Sequence, residues 1–357
     1  MDVGETHETP NRPRLGRRGW MGLILIALIL GLPGFGHSKL DSRYYLAVAQ
    51  HFQGDLPRDA LQTPYAYRIA LPWLASHAPE GYVPWAFGAF NLTAVVLACA
   101  LFAGIWSHLL TDPRRWRIAV LLSIVSFPTV DYGSAVLTDP AGLLMFALGA
   151  YALARRAWLG VGISLAVGVL FREAQLIVLL AAWLLLAYER PPKWILHILW
   201  LSLLAIAMAY FPRWYFHDVP ASASVLDAQA QQLVRPATED GLGFLWQPSM
   251  DWVLLNMRRP MAWLTLALTI LPFLILSIPF RWAWFPNAAP NHRRAFTALA
   301  LVCAALFLYS TAAAFTCGRF LWPSFVFLAP WAAEQCRIDQ APGRWATLIA
   351  KKFFGAQ

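Results

Sequence analysis

The sequence predicts an all-α, polytopic membrane protein with about ten transmembrane helices and short interfacial helices in its outer loops. Three observations lead there. Of the 357 residues, 59% are hydrophobic and only 13% are charged, against about 25% charged in soluble domains. The apolar residues gather into runs that approach the roughly 20 residues needed to cross a bilayer. The basic residues stand in pairs and triplets between those runs, which is the pattern of membrane flanks. The net charge of +9 is therefore no nucleic-acid footprint, and no nucleic-acid partner is expected. The four cysteines (Cys99, Cys303, Cys317, Cys336) lie in or beside apolar runs, which argues against a disulfide framework. No zinc-type cysteine spacing, phosphate loop or dinucleotide fingerprint occurs.

Residues 1–19 read as a disordered cytoplasmic tail, 20–336 as the membrane domain and 337–357 as a basic cytoplasmic tail. Ten candidate spans fall at 20–36, 83–110, 118–130, 139–154, 157–171, 174–188, 194–211, 260–280, 295–315 and 320–336. The first run has the length of a signal peptide, and Gly34-Phe35-Gly36 offers a weak cleavage site. An uncleaved anchor is expected, because residues with useful chemistry follow it directly. With the N-terminus inside, 18 of the 28 basic residues face the cytoplasm, so the rule of positive inner loops selects a cytoplasmic (inner) membrane topology with both termini inside. Two long outer loops result, at about 37–82 and 212–259. Loops of that length are uncommon without a function. Each holds a surface helix: Tyr44, Val48 and Phe52 share a face at helical spacing, and Asp251–Met257 runs into Arg258-Arg259-Pro260.

The stretch 157–188 is apolar except for Arg172-Glu173 at its centre. As a single helix it would measure about 48 Å, too long for a hydrocarbon core of about 30 Å. Basic residues at both ends (Arg155, Arg156; Arg190, Lys193) make it a hairpin of two short helices. Charges at its tip would sit below the outer surface, at a cost of about 2.5–3.5 kcal/mol each, and so are expected to line a wet cavity. The plainer reading is that they cap the turn. Helix neighbours do not face each other, so Arg172 and Glu173 need not pair.

Four further outer positions are candidates. Asp41, in Leu40-Asp41-Ser42-Arg43-Tyr44-Tyr45, could accept a proton from a hydroxyl or hold a metal; its plain role is to cap the next helix. Asp139, in Thr138-Asp139-Pro140, is either functional or a cap with proline at the first turn. Asp131 ends the preceding short span. Arg68 and Arg319, in Tyr67-Arg68-Ile69 and Gly318-Arg319-Phe320-Leu321-Trp322-Pro323, suit bidentate phosphate binding, although lipid headgroups would hold them equally. His37, His51, His77 and His217 stand alone, without metal-ligand spacing.

In order and placement these motifs resemble the GT-C superfamily of integral-membrane glycosyltransferases, and within it the polyprenyl- or dolichyl-phosphate-sugar-dependent mannosyltransferases. The likeness rests on Asp41-Ser42-Arg43-Tyr44-Tyr45-Leu46-Ala47 followed by Tyr67-Arg68-Ile69-Ala70-Leu71-Pro72, on Thr138-Asp139-Pro140, on Phe171-Arg172-Glu173-Ala174, and on Gly318–Pro323. It implies an inverting transfer from a polyprenyl-phosphate-linked sugar to an acceptor (glycan, lipid or protein) in the cell envelope. Asp41 and Asp139 would be the catalytic carboxylates, with Asp41 as base. Arg172, Arg319 and Arg68 would bind the donor phosphate, with Arg43, Glu173, Tyr67 and Asp131 nearby. Relatives often carry a second acidic residue where this chain has Arg43. That argues against a divalent metal (Mg or Mn) held by this loop, and leaves the cofactor open. About 20 residues follow the last span, so acceptor recognition would fall to the membrane part, the outer loops or a partner. The competing readings are a transporter or flippase for a lipid-linked or anionic substrate, which would favour midplane charges and internal repeats, and a non-catalytic GT-C-like subunit.

Overall fold

A computed structural model describes residues 17–39, 41–63, 65–110, 112–219, 250–277, 285, 288–313 and 317–336. The terminal tails and most of the second outer loop, including Asp227, Glu239 and Asp240, lie outside the described residues. The described chain is helical. In order come α1 (Arg17–Gly31), α2 (Ser42–Gln53), α3 (Ala70–Ala75), α4 (Val83–Leu109), α5 (Pro113–Val125), α6 (Phe127–Tyr132) and α7 (Asp139–Ala154). Then follow α8 (Trp158–Phe171), α9 (Leu176–Glu189), α10 (Trp194–Tyr215), α11 (Met250–Met257), α12 (Pro260–Leu276), α13 (Pro290–Ala313) and α14 (Phe325–Gln335).

Helices stand at all ten expected places, but ten crossings are not established. Among the described residues, three helices are long and apolar enough to cross a membrane: Val83–Leu109, Trp194–Tyr215 and Pro290–Ala312. Met250–Met257 and Pro260–Leu276, bent by 80°, pass that test only together. Several others have 11–16 residues, and at 1.5 Å per residue they fall short of the hydrocarbon thickness of about 30 Å. The expected span at 118–130 is broken. Ser126 leaves the helix with extended torsions, and Pro128, lacking an N–H, starts α6 instead.

Helix α4 forms the axis. It packs against α5 and α7, α7 against α8, α14 against α5, and α13 against α9. Phe102, Trp106, Phe146, Leu165, Phe296 and Phe325 fill the shared core. One buried hydrogen bond, from Trp106 Nε1 to the Val326 carbonyl at 2.8 Å, fixes α14 on α4.

The stretch 157–188 is a hairpin, as its flanking charges predict. Arg172 is extended, Glu173–Gln175 form one 3₁₀ turn, and the chain reverses into α9. The two far ends meet: Arg156, just before α8, donates to both oxygens of Glu189 at the end of α9, at 2.7 and 2.5 Å. Helices also stand at both positions predicted in the loops. Tyr44 and Val48 are buried on α2, and the helix stops at Gly54, whose φ of 89° favours glycine. Val48, Leu61 and Ala66 pack on Phe216 and Val219 beyond α10, joining the segment between α1 and α4 to the one that follows α10.

The hairpin fixes an accessibility pattern. Arg155→Cys and Arg190→Cys, both exposed positions, will react with an impermeant maleimide from one side of sealed vesicles in a background free of native cysteines. Arg43→Cys will react from the other. Labelling of all three from one side would dismantle this arrangement.

Candidate functional site

The site is built where helices are interrupted. The irregular segment between α6 and α7 exposes backbone groups that must be satisfied inside the bundle. Buried Asn91 of α4 donates to the Ala135 and Leu137 carbonyls at 2.7 and 2.8 Å. Ser42 Oγ donates to the Val136 carbonyl at 2.8 Å, and the Val136 N–H donates to His37 at 3.1 Å. These bonds lay His37 and Ser42 against Val136, and Asp41 and Asp139 both come within reach of Arg319. From the opposite side comes the 3₁₀ segment Gly318–Ser324. A Cβ at Gly318 would lie 2.2 Å from Thr269 Oγ1, so only glycine lets this segment approach α12 and present Arg319.

The charged side chains form a connected set. Arg319 Nη2 lies 2.8 Å from Asp41 Oδ2, and its Nη1 lies 3.9 Å from Asp139 Oδ2. Arg172 pairs with the other oxygen of Asp139. Next to it, Arg68 donates from Nε to Glu173 at 3.0 Å and from Nη1 to Tyr45 Oη at 2.5 Å, and Arg213 reaches Glu173 at 3.9 Å. Tyr65 Oη donates to Asp41 at 3.4 Å, while its ring stacks on Tyr44 at 4.4 Å. Burial alone would push the Asp41 carboxyl up; the Arg319 guanidinium against it, with Arg68 and Arg172 behind, outweighs burial and holds it below the usual carboxylate range. Burial and the neighbouring Asp41 charge push the Tyr65 hydroxyl up, so it stays a donor.

Asp139, Arg172 and Arg319 also line a pocket whose other walls include Leu143, Phe146, Ile177, Leu306, Phe320 and Trp322. Cationic groups thus meet an apolar trough. Among the described residues no three His, Cys, Asp or Glu side chains gather to hold a metal ion. Each of these carboxylates faces an arginine instead, so the residues do not fit a divalent ion.

The structure brings together Asp41, Asp139, Arg172, Glu173, Arg68 and Arg319. As expected, Arg172 and Glu173 take separate partners. Neither aspartate caps its helix: Asp41 stands at the cap position of α2, and Asp139 is the first residue of α7 after Thr138, but their side chains make no capping bond. Three candidates lie at the edge. Asp131 pairs with Lys39 at 2.7 Å. Arg43 is exposed and donates to the Tyr44 hydroxyl at 2.5 Å. The Tyr67 ring carries the Arg213 guanidinium at 4.7 Å. Sequence reasoning missed Arg213, Tyr45, Tyr65 and Phe320. Arg213 had a readable signal, a lone cation where the apolar pattern of α10 continues past residue 211. The tyrosines had none beyond their proximity to Asp41 and Arg68.

The solved structure of ArnT from Cupriavidus metallidurans bound to undecaprenyl phosphate matches 94% of this chain, with a TM-score of 0.57 and 11% sequence identity. The fold is GT-C-like. This chain spans 63% of the length of that protein. No protein-family model matches the sequence, and no curated protein matches it.

Two measurements test the electrostatics. Asp139, with a side chain only 2% exposed, balances buried cations, so Asp139→Ala will cost about 3–5 kcal/mol in detergent unfolding, and adding Arg172→Leu will return part of it. The carboxyl of Asp41 is depressed in the folded protein, so its contribution is complete above the unfolded value of about 3.9 and lost as pH falls through the lower folded value. Acid unfolding of Arg319→Gln will lack that component, seen as a flatter stability curve below about pH 4.

Proposed function

We propose that the protein is a glycosyltransferase that moves a sugar from a polyprenyl-phosphate donor to an acceptor hydroxyl at the outer face of the cytoplasmic membrane, with both termini cytoplasmic. The observation that carries this reading is the convergence of arginines and carboxylates on one end of an apolar pocket in a GT-C-like fold. A neighbour of that fold bound to undecaprenyl phosphate supports a polyprenyl-phosphate partner. Charge balance agrees. Arg68, Arg172, Arg213 and Arg319 face Asp41, Asp139 and Glu173, which leaves one positive charge for a phosphodiester anion.

The chemistry assigns roles. Asp41 takes the proton of the acceptor hydroxyl, whose oxygen attacks the anomeric carbon. The bond from that carbon to the phosphate oxygen breaks, and the lipid phosphate leaves with the electron pair and one more negative charge. Arg172 and Arg319, which line the pocket, meet that charge as it develops. Arg68, with Nε on Glu173 and Nη1 on Tyr45, offers Nη2 as a third contact. Asp139 and Glu173 hold these arginines in place. The apolar pocket walls accept the first units of the lipid chain. A direct displacement of this kind inverts the anomeric centre.

Purified protein incubated with radiolabelled polyprenyl-phosphate sugars and membrane extract will release label from the lipid. Asp41→Asn will reduce that release by about 100-fold or more at normal expression. Near-normal turnover in Asp41→Asn would remove it from the base role. Uptake into proteoliposomes without a new glycosidic bond would make the protein a transporter instead.

A further inference from the structure

Arg319 holds Asp41 in a way that a base could not tolerate during turnover, and the geometry around it suggests what releases the contact. We propose that Arg319 is a donor-operated latch: a phosphodiester in the pocket competes with Asp41 for the same guanidinium, so lipid-phosphate binding frees the carboxylate. This rests on the glycosyltransferase reading above and concerns the regulation of that site.

Four observations carry it. Arg319 lines the pocket and Asp41 does not, so a ligand in the pocket reaches the guanidinium without first meeting Asp41. The Nε of Arg319 is buried without a hydrogen-bond partner among the described residues, leaving donor capacity that a phosphate would fill, and a guanidinium binds phosphate best through two parallel N–H groups. Of the two carboxylates on Arg319, Asp139 is anchored independently by Arg172, with a side chain 2% exposed. Asp41 has a side chain 10% exposed, and its other bond, from Tyr65, is long at 3.4 Å. Asp41 is therefore the partner that exchanges.

Release changes the chemistry of Asp41. The charged and titratable groups around it are Arg319 from the 3₁₀ segment, Tyr65 and Arg68 from the first loop, Tyr45 from α2, and Arg172 with Asp139 across the pocket. With Arg319 and Arg172 turned to a phosphate anion, burial is no longer offset to the same degree, and a buried carboxylate short of cations is the stronger base. The base is thus muted in the empty protein and becomes active once the donor is seated. Acceptor deprotonation then follows donor binding.

Two arms on the full chain in detergent test the latch. In the first, undecaprenyl phosphate is the probe of binding. Asp41→Asn will bind it about tenfold more tightly, because the carboxylate no longer occupies Arg319, whereas Asp139→Asn will bind it more weakly, because Arg172 loses its anchor. Equal or weaker binding by Asp41→Asn, or equal tightening by both variants, overturns the latch. The second arm uses the wild-type protein. The acid limb of kcat/KM for the donor reports the empty protein and will lie below about pH 4; that for the acceptor at saturating donor reports the donor complex and will lie about one unit higher. Coincident limbs overturn the latch. Absence of transfer with any donor refutes the glycosyltransferase reading instead, and the binding arm still decides the latch.

Discussion

The structure is organised around one electrostatic constraint: charged groups lie inside a bundle that is otherwise apolar. A lone ion at that depth is costly, and it persists only where partners are built in. Arg172, Asp139, Arg319 and Asp41 form a chain of alternating charge, and Arg68, Glu173 and Arg213 form a second chain beside it. Arg172 and Glu173 come from the hairpin tip, Arg213 from the last turn of α10, and the others from separate breaks in the helical pattern. Removing one strands its neighbours, so the set behaves as a unit.

That unit explains the irregularity of the fold. Continuous helices would satisfy their own backbones more simply. Here α8 gives way to α9 at Arg172, α5 to α6 at Ser126, and α7 starts only after a stretch of turns and bends tied down by Asn91 and Ser42. The freed backbone groups need side-chain partners, and polar residues buried in apolar helices provide them. Buried Asn91 on α4 therefore bears on the site without touching it: it fixes the segment that aims Asp139.

The same geometry separates two jobs that a single motif reading merges. A carboxylate paired to arginines on both oxygens, such as Asp139, is suited to holding cations for an anionic ligand. A carboxylate at the margin with one strong partner, such as Asp41, is suited to exchanging that partner.

The all-helical class, the places of the helices, the hairpin at 157–188 and the surface helix α2 were all legible in the sequence, because each follows from local hydrophobic periodicity and from charges that cannot sit in lipid. Arg172 and Glu173 stood out as charges breaking an apolar run, and Asp41, Asp139, Arg68 and Arg319 as charges in the segments that flank such runs. Which of them pair was not legible. Arg319 is 278 positions from Asp41 and 180 from Asp139 in the chain, and no local pattern records such a meeting. Nor could the sequence tell that Asp131 turns to Lys39, that Arg43 faces outward, or that Arg213 and two tyrosines complete the set. Helix propensity and hydropathy are properties of neighbours in sequence. Ion pairing in a low-dielectric interior depends on distance in space, and only the packing of α4, α7, α12 and the hairpin decided those distances.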